Sequence, residues 1–337
     1  MSDLNTIIYA GNGLGPANIA RNTNEVHESG FKTVLLGLFH IGRGSGAKDP
    51  IPGQKTGDII FNNPNDPSDP GVIVVSDAEY VGPSAWLGQL QQLFAAKSGK
   101  GMVKLMGSSI GGSGSPQPPY GVQDYQTIWG NFISNGSIGT GTVLYRNFVV
   151  LKKVLPFIRF VDFDCEEFES GYYPDYSWNQ TLTAFGNMLK EIGFSMTFCP
   201  YIYMSDWMDV PRSLYVPQEP TVLWMNLQCY DGGGSNDPAE WAAAVNDTGL
   251  GINGASFTVP GLWCCKTSKP ECGSIPPAVK DTFTAWKKDE KIALQGGFIW
   301  NYDDILVNQS STTCDPSYAG PKSSAAYQNA LMQGLTS

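Results

Sequence analysis

Short apolar runs and amphipathic runs alternate along nearly the whole chain. The apolar runs have the length of buried strands, and the runs between them carry apolar residues at helical spacing. The eight predicted strands are residues 6–10, 33–40, 102–106, 157–167, 195–203, 221–230, 255–263 and 294–300. Since helical material follows each of them, the pattern predicts an α/β protein, a (β/α)8 TIM barrel that forms one domain over residues 1–337.

One long segment interrupts this alternation. Residues 41–83 are rich in Gly, Pro, Asn and Asp, and contain two β-like pieces at 58–61 and 72–75. A long excursion of this kind is more typical of a loop that shapes a binding face than of a domain boundary. We therefore predict an insertion with β structure after the second strand.

The predicted fourth strand carries a row of acids. Asp162, Asp164 and Glu166 occupy every second position, so their carboxyls are expected on one face of the strand. Crowded like charges raise one another's pKa values, which favours one protonated carboxyl beside an ionised one, as general acid catalysis at a glycosidic bond requires. The alternative is an edge strand whose acidic face meets water. Apolar residues along 149–161 and the position of the acids at the strand's C-terminal end favour the catalytic interpretation.

Composition narrows the range of ligands. The net charge of −10 argues against nucleic acid or an anionic membrane as partner, and no apolar run is long enough to span a bilayer. Only 15% of residues are charged, whereas there are nine Trp and fifteen Tyr, which suits a neutral sugar that stacks on aromatic rings. With two histidines and no zinc-like cysteine spacing, we predict neither a metal nor another cofactor.

The cysteines and the N-terminus leave the compartment open. Of the seven cysteines, Cys165, Cys199 and Cys229 lie in apolar strand-like runs, where buried thiols are usual. A disulfide is plausible only among Cys264, Cys265, Cys272 and Cys314. The first residues, MSDLNTIIYAG, lack the features of a secretory signal. We expect a cytoplasmic protein, one exported without a leader, or a secreted one whose leader is absent from this chain; the oligomeric state is not predicted.

Four motifs on four predicted strands resemble glycoside hydrolase family 18, the chitinase and endo-β-N-acetylglucosaminidase family. The fourth-strand signature of that family is DxxDxDxE, and the third-strand motif is SxGG. The sixth strand of the family ends in Tyr followed by Asp or Asn, with Gln shortly before in plant-type members, and the eighth ends in Trp. The matching residues here are Asp162, Asp164 and Glu166; Ser109, Gly111 and Gly112; Gln228, Tyr230 and Asp231; and Trp300.

The resemblance implies cleavage of β-1,4 bonds next to N-acetylglucosamine, in chitin, chitooligosaccharides or the N-glycan chitobiose core, with the substrate's 2-acetamido group as nucleophile. It assigns the general acid to Glu166, the orientation of the acetamide to Asp164 and Tyr230, and the tuning of Asp164 to Asp162. It makes Trp300 the floor of the −1 sugar site. Ser109, Gly111, Gly112, Gln228 and Asp231 would contribute to substrate binding.

One departure keeps an alternative open. Arg159 stands where the family signature has its first Asp, and Phe160 where the family has Gly. An arginine there could pair with Asp162 and change the sharing of protons between Asp162 and Asp164. The alternative function is a non-catalytic, chitinase-like carbohydrate-binding protein with a lectin, inhibitor, storage or toxin role. Further sugar platforms are predicted at Trp207, Trp263, Tyr172 and Tyr173.

Overall fold

A computed structural model describes most of the chain. The described residues are 4–44, 53–61, 71–94, 103–112, 120–166, 178–216, 219, 221–266, 269, 272–289, 292–309 and 318–337. The strands are β1 Asn5–Ala10, β2 Thr33–Ile41, β3 Ile59–Phe61, β4 Val72–Ser76, β5 Glu79–Tyr80, β6 Leu105–Gly111, β7 Ile158–Asp164, β8 Ser195–Phe198, β9 Val222–Gln228, β10 Thr258–Trp263 and β11 Gly296–Trp300.

Eight of these strands form the predicted barrel. Their order is β1-β11-β10-β9-β8-β7-β6-β2, and β1 also pairs with β2, so the parallel sheet closes on itself. Parallel pairs are in register at Phe298 of β11 with Ile7 of β1, and at Asp162 of β7 with Thr197 of β8. The prediction of a (β/α)8 TIM barrel is confirmed.

Helices follow the barrel strands, as the amphipathic runs predicted. They are α1 Ile19–Glu28, α2 Ser84–Gln91, α3 Tyr120–Asn135, α4 Val143–Val154, α5 Trp178–Ile192, α6 Met204–Leu214, α7 Pro238–Asn246, α8 Gly254–Phe257, α9 Pro276–Asp289, α10 Tyr302–Gln309 and α11 Ser324–Thr336. The Asp237 side chain accepts a hydrogen bond from the Ala239 N–H and caps α7. Among the helices described, none is long and apolar enough to cross a membrane.

The predicted insertion carries a small antiparallel extension of the sheet. Strand β3 pairs with the end of β2, β4 with β3, and β5 with β4. The Phe61 ring of β3 packs against Phe39, with centroids 5.2 Å apart, and against Trp86 of α2, with centroids 5.0 Å apart. The two β-like pieces predicted between residues 41 and 83 are therefore strands, and aromatic packing attaches β3 to β2.

Several predicted strand boundaries are wrong. The seventh barrel strand begins at Thr258 rather than at 255, because Gly254–Phe257 forms helix α8. The third barrel strand covers Leu105–Gly111 rather than 102–106. Small residues are needed there, because a Cβ on Gly107 would lie 2.4 Å from the buried Phe160 ring. The fifth strand ends at Phe198 instead of residue 203. Pro200 follows closely, and proline cannot donate to a sheet ladder.

The chain groups into two compact units. The first contains Met1–Leu35, Gly88–Met106 and Trp224–Ser337, and the second contains Leu36–Leu87 and Gly107–Leu223. In the first unit, Phe283 of α9 packs edge-on to Trp286, with centroids 4.9 Å apart. In the second unit, Phe148 of α4 packs edge-on to Phe185 of α5, with centroids 5.6 Å apart. A single domain over residues 1–337 stays a prediction.

The contact between Gly107 and Phe160 gives a test of the packing. We expect Gly107→Ala to destabilise the fold by about 1–3 kcal/mol, because the added methyl group overlaps a ring that has no room to move. Gly130→Ala in α3 is the control, since a Cβ there meets nothing within 4 Å and alanine favours helix. Urea unfolding of both variants decides the matter. A Gly107→Ala protein as stable as Gly130→Ala would contradict this packing.

Candidate active site

The acid row lies inside the sheet. Strand β7 is flanked by β6 and β8, and the side chains of Asp162 and Asp164 are 0% and 2% exposed. Glu166 is half-buried, two residues beyond the end of the strand. The alternative of an edge strand with solvated acids is therefore wrong. Two buried carboxyls in one strand carry a large desolvation cost that neighbouring groups must offset.

Hydroxyl groups from both neighbouring strands bind Asp162. The Ser109 hydroxyl of β6 donates to Oδ2 over 2.9 Å, and the Thr197 hydroxyl of β8 donates to Oδ1 over 2.6 Å. Register explains this arrangement, because Thr197 is the residue of β8 that pairs with Asp162. Both oxygens of a fully buried carboxyl thus have a donor. The sequence predicted Ser109 as a substrate-binding residue and predicted no role for Thr197.

Asp164 is in a different electrostatic environment. Burial raises its pKa well above the usual range, and the nearby charges of Glu166 and Asp162 raise it further. A hydrogen bond between the Asp164 and Glu166 carboxyls acts in the same direction, whereas a hydrogen bond with Cys199 lowers the pKa. This is the direction expected for crowded acids. Asp164 and Glu166 are therefore placed to share a proton.

Glycines at the end of β6 hold the backbone beside Asp164. Gly111 and Gly112 have φ values of 125° and 98°, in a region that side chains rarely adopt. A Cβ on Gly111 would lie 2.1 Å from the Asp164 carbonyl oxygen, and the Gly112 N–H donates to that oxygen over 2.6 Å. These contacts give both glycines a part in fixing the end of β7. Their expected part in substrate binding stays a prediction.

Arg159 does not serve the role expected of it. Its side chain is exposed, whereas Asp162 is fully buried. Neighbours in a strand alternate, so residues three apart point to opposite sides of β7. Arg159 instead lies close enough to Lys152 of α4 for its charge to lower that lysine's pKa, after the larger effect of burial. The expected pairing of Arg159 with Asp162 is wrong, and the hydroxyls of Ser109 and Thr197 bind Asp162 instead.

Tyr230 belongs to an aromatic group in the first unit. It lies two residues beyond β9, is 8% exposed, and stacks on Trp263 at the end of β10 with centroids 5.4 Å apart and planes at 20°. Phe298 packs edge-on to Tyr230, with centroids 6.1 Å apart. Gln228, the last residue of β9, is buried, and its carbonyl accepts a hydrogen bond from the Asn236 side chain. Asp231 is exposed and has a positive φ of 49°.

Trp300 is the last residue of β11 and is half-buried. Its ring packs against Tyr9 of β1, with centroids 5.0 Å apart. Its carbonyl oxygen accepts a hydrogen bond from the Cys264 N–H at 2.7 Å. The end of β11 is thus held by the neighbouring strand, which fixes the position of the indole ring.

Lys269 supports this aromatic group, although no sequence pattern indicated it. Its ammonium bonds to Asp304 over 2.7 Å, donates to the Cys264 carbonyl over 3.0 Å, and lies 5.3 Å from the centre of the Trp263 ring. A largely buried lysine needs such partners. The ion pair and the cation–π contact together hold Trp263 against Tyr230.

The other predicted sites have mixed outcomes. Trp207 is 1% exposed and stacks on Phe198 with centroids 5.2 Å apart, so its prediction as a sugar platform is wrong. Tyr172, Tyr173 and Cys314 lie outside the described residues. Cys264 and Cys265 carry free thiols. In the described part of the chain, no three His, Cys, Asp or Glu residues are grouped as a metal site.

Comparison with known proteins shows the fold. No protein-family model matches the chain, and no curated protein matches it in sequence. Among solved structures, active domain 2 of a thermostable chitinase from Pyrococcus furiosus, crystallised as catalytic site mutants with chito-oligosaccharides, matches 100% of this chain and 96% of its own, with 9% identity and a TM-score of 0.53. The chitinase Chi1 of the Yersinia entomophaga toxin complex matches 99% of this chain and 85% of its own, with 12% identity and a TM-score of 0.54. A glucosidase from Croceicoccus marinus, with 12% identity and a TM-score of 0.51, is similar over 98% of this chain and 66% of its own.

These similarities show a chitinase-like TIM-barrel fold. At identities of 9–12% they carry information on the fold alone. Within the second unit, the site itself offers a buried acid pair, one member of which shares a hydrogen bond with a half-buried glutamate. That arrangement can donate a proton and stabilise a developing positive charge.

The raised pKa of Asp164 predicts a pH-dependent stability that does not depend on any activity. A pKa higher in the folded than in the unfolded protein contributes stability below the unfolded value, and this contribution is lost as pH rises through the folded value. The Asp164→Asn side chain does not ionise, so the variant does not undergo this loss of stability as pH rises. We therefore expect the unfolding free energy of the variant, relative to wild type, to increase as pH rises from about 4.

Urea unfolding at a series of pH values measures this difference. Asp209→Asn in α6 is the control, because that carboxylate is exposed and pairs with Arg212 at the surface. We expect the control to show no comparable trend. A difference between Asp164→Asn and wild type that stays constant or shrinks with rising pH would refute the raised pKa.

Proposed function

We propose that this protein is a glycoside hydrolase of the family 18 type, which cleaves β-1,4 bonds next to N-acetylglucosamine by substrate-assisted, retaining catalysis. The observation that carries the proposal is the hydrogen-bonded pair of Asp164 and Glu166, next to an Asp162 that is fixed by two hydroxyl donors. A solvated acidic surface would need neither the burial nor the donors. The glycosidase-like barrel fold is shown by the structural neighbours and does not depend on this proposal.

Glu166 acts first as the general acid. It is half-buried, at the C-terminal end of a barrel strand where barrel enzymes place their chemistry. It transfers its proton to the glycosidic oxygen as the bond to C1 breaks and the leaving sugar departs as an alcohol. The acetamide carbonyl oxygen of the −1 sugar forms the new bond to C1, which gives an oxazolinium ion. Glu166, now ionised, accepts a proton from water as the water opens that ring with net retention.

Asp164 supports the acetamide during these steps. As a carboxylate it accepts a hydrogen bond from the acetamide N–H, which turns the carbonyl oxygen towards C1 and stabilises the positive charge of the oxazolinium ion. Its pKa is raised by burial and by the charges of Glu166 and Asp162, which favours a proton shared between Asp164 and Glu166. Asp162 contributes a nearby negative charge. Because Arg159 points away from Asp162, the departure at the first signature position leaves this pair intact.

The family resemblance gives roles to two aromatic residues of the first unit. Tyr230 donates its hydroxyl to the acetamide carbonyl oxygen and fixes the line of attack, and Trp300 stacks under the sugar ring. Both side chains are held rigidly, Tyr230 by Trp263 and Phe298, and Trp300 by Tyr9. Rigid aromatic side chains suit this purpose, because sugar binding then orders few side-chain rotamers. The chito-oligosaccharides bound to the Pyrococcus furiosus neighbour support the same substrate class.

Product analysis tests the proposal. Wild type, Glu166→Gln and Glu191→Gln are each incubated with chitooligosaccharides, chitin and N-glycans, and the products are followed by mass spectrometry. We expect Glu166→Gln to lose about 10²–10⁴-fold in turnover while it still binds the sugar, since only the transferable proton is removed. Glu191 lies exposed on α5 with Tyr145 as its partner, so its amide variant should cleave like wild type.

Two results would contradict the proposal. Turnover retained by Glu166→Gln would show that Glu166 is not the general acid. No cleavage of any substrate by wild type, together with sugar binding measured by calorimetry, would identify the alternative, a non-catalytic carbohydrate-binding protein.

A further inference from the structure

Cys199 is placed beside the acid pair by the register of two strands. The Cys199 N–H donates to the Phe163 carbonyl over 3.0 Å, which continues the pairing of Phe163 with Phe198 one residue beyond β8. Thr197, two residues earlier, directs its hydroxyl to Asp162. Since alternate residues share a face, Cys199 directs its side chain to the same side as Thr197. Thr197 in β8 therefore lies beside Asp162, and Cys199 just beyond β8 lies beside Asp164.

The Cys199 thiol makes a hydrogen bond with the Asp164 carboxyl. Cys199 is 1% exposed and Asp164 is 2% exposed, so water does not replace this contact readily. On the other flank, β6 faces the same residue with Gly111, which has no side chain, while the Gly112 N–H binds the backbone carbonyl of Asp164. Among the described residues of β6 and at the end of β8, the Cys199 thiol is thus a side-chain donor to the Asp164 carboxyl.

The thiol acts against the other groups around Asp164. Burial, the charges of Glu166 and Asp162 and the hydrogen bond with Glu166 all raise the pKa of Asp164, whereas Cys199 lowers it. A donor favours the ionised form of the carboxyl it binds. When two coupled carboxyls share one proton, a donor to one of them moves the proton towards the other. In this site the other carboxyl is Glu166.

We propose that Cys199 is a positioning residue whose thiol holds the Asp164 carboxylate beside Glu166 and moves the shared proton towards Glu166. This inference rests on the proposed function for its consequence in catalysis, because the general acid must carry the proton at the start of the reaction. The contact and its effect on titration are properties of the resting protein. They can be measured whether or not the protein turns over any sugar.

The experiment is a titration of the Asp164 carboxyl by NMR in protein labelled with ¹³C at the aspartate carboxyls, with Asp164→Asn to assign the signal. We expect Cys199→Ala to raise the pKa of Asp164, by about half a unit to one unit, because a donor to the ionised form is lost. Cys199→Ser restores a hydroxyl donor and should return the pKa to the wild-type value or below. Cys229→Ala is the control for loss of a buried thiol, since Cys229 lies outside this pair and its thiol approaches the Leu227 carbonyl.

Activity provides a second, separate readout. Asp164 must be ionised to accept the acetamide N–H, so activity rises with pH through the pKa of the pair. A higher pKa in Cys199→Ala should move the acid limb of the kcat–pH profile to higher pH. At a pH on that limb, kcat should fall by up to about tenfold. Cys199→Ser should remain close to wild type.

The two readouts separate the two ideas. An Asp164 pKa that is unchanged in Cys199→Ala, or shifted equally by Cys229→Ala, overturns the role of Cys199 even if the protein cleaves sugars. A pKa shifted as expected, in a protein that cleaves no sugar, supports the role of Cys199 and contradicts the proposed function.

Discussion

The burial of the Asp162 carboxyl is the constraint on which the candidate site depends. A carboxyl with no exposure is stable only where donors replace its water, and here Ser109 and Thr197 supply them from the strands on either side. These two bonds join β6, β7 and β8 through their side chains as well as through the sheet. They also fix a carboxyl whose charge acts on Asp164. Burial and the charge of Glu166 raise the pKa of Asp164, and the charge of the Asp162 carboxyl held by these strands adds to that rise.

The rest of the second unit follows from the same arrangement. Asp164 lies two residues further along β7. Gly111 and Gly112 have no side chains there, so the backbone of β6 contacts the Asp164 carbonyl directly. Glu166 comes next, at the point where the strand ends and burial decreases. The three acids therefore form a gradient from a fully buried and fixed group to a more exposed one. Proton transfer to a ligand requires an exposed acid, and tuning of its neighbour requires a buried one.

In the first unit, side-chain contacts hold aromatic rings in fixed positions near strand ends. The Trp263 ring contacts both the Tyr230 ring and the Lys269 ammonium, and Asp304 pairs with that lysine. Asp304 also pairs with Lys266 over 2.7 Å, so this buried carboxylate has two ammonium partners. Rings supported in this way remain in place when no ligand is bound.

Much of the fold and the position of the acid row could be predicted because both depend on local periodicity. Alternation of apolar and acidic residues gave β7 its correct face, and the run of strands and helices gave the barrel. Contacts across strands could not be predicted, since the partnership of Thr197 and Cys199 with the acids depends on the register between β7 and β8. The extension of β6 to Gly111 was not predicted, because the reasons for its glycines lie in another strand: Gly107 leaves space for the Phe160 ring, and Gly111 lies close to the Asp164 carbonyl. Arg159 was expected to pair with Asp162, but a spacing of three residues places the two side chains on opposite sides of a strand.

The central claim is that this acid row drives attack by the substrate's own acetamide group. The most direct measurement is the anomeric configuration of the first product, followed by proton NMR as a chitooligosaccharide is cleaved. Attack by the acetamide and then by water inverts C1 twice, so the account predicts a β-configured product that mutarotates afterwards. An α-configured first product would show direct attack by water and would contradict the account.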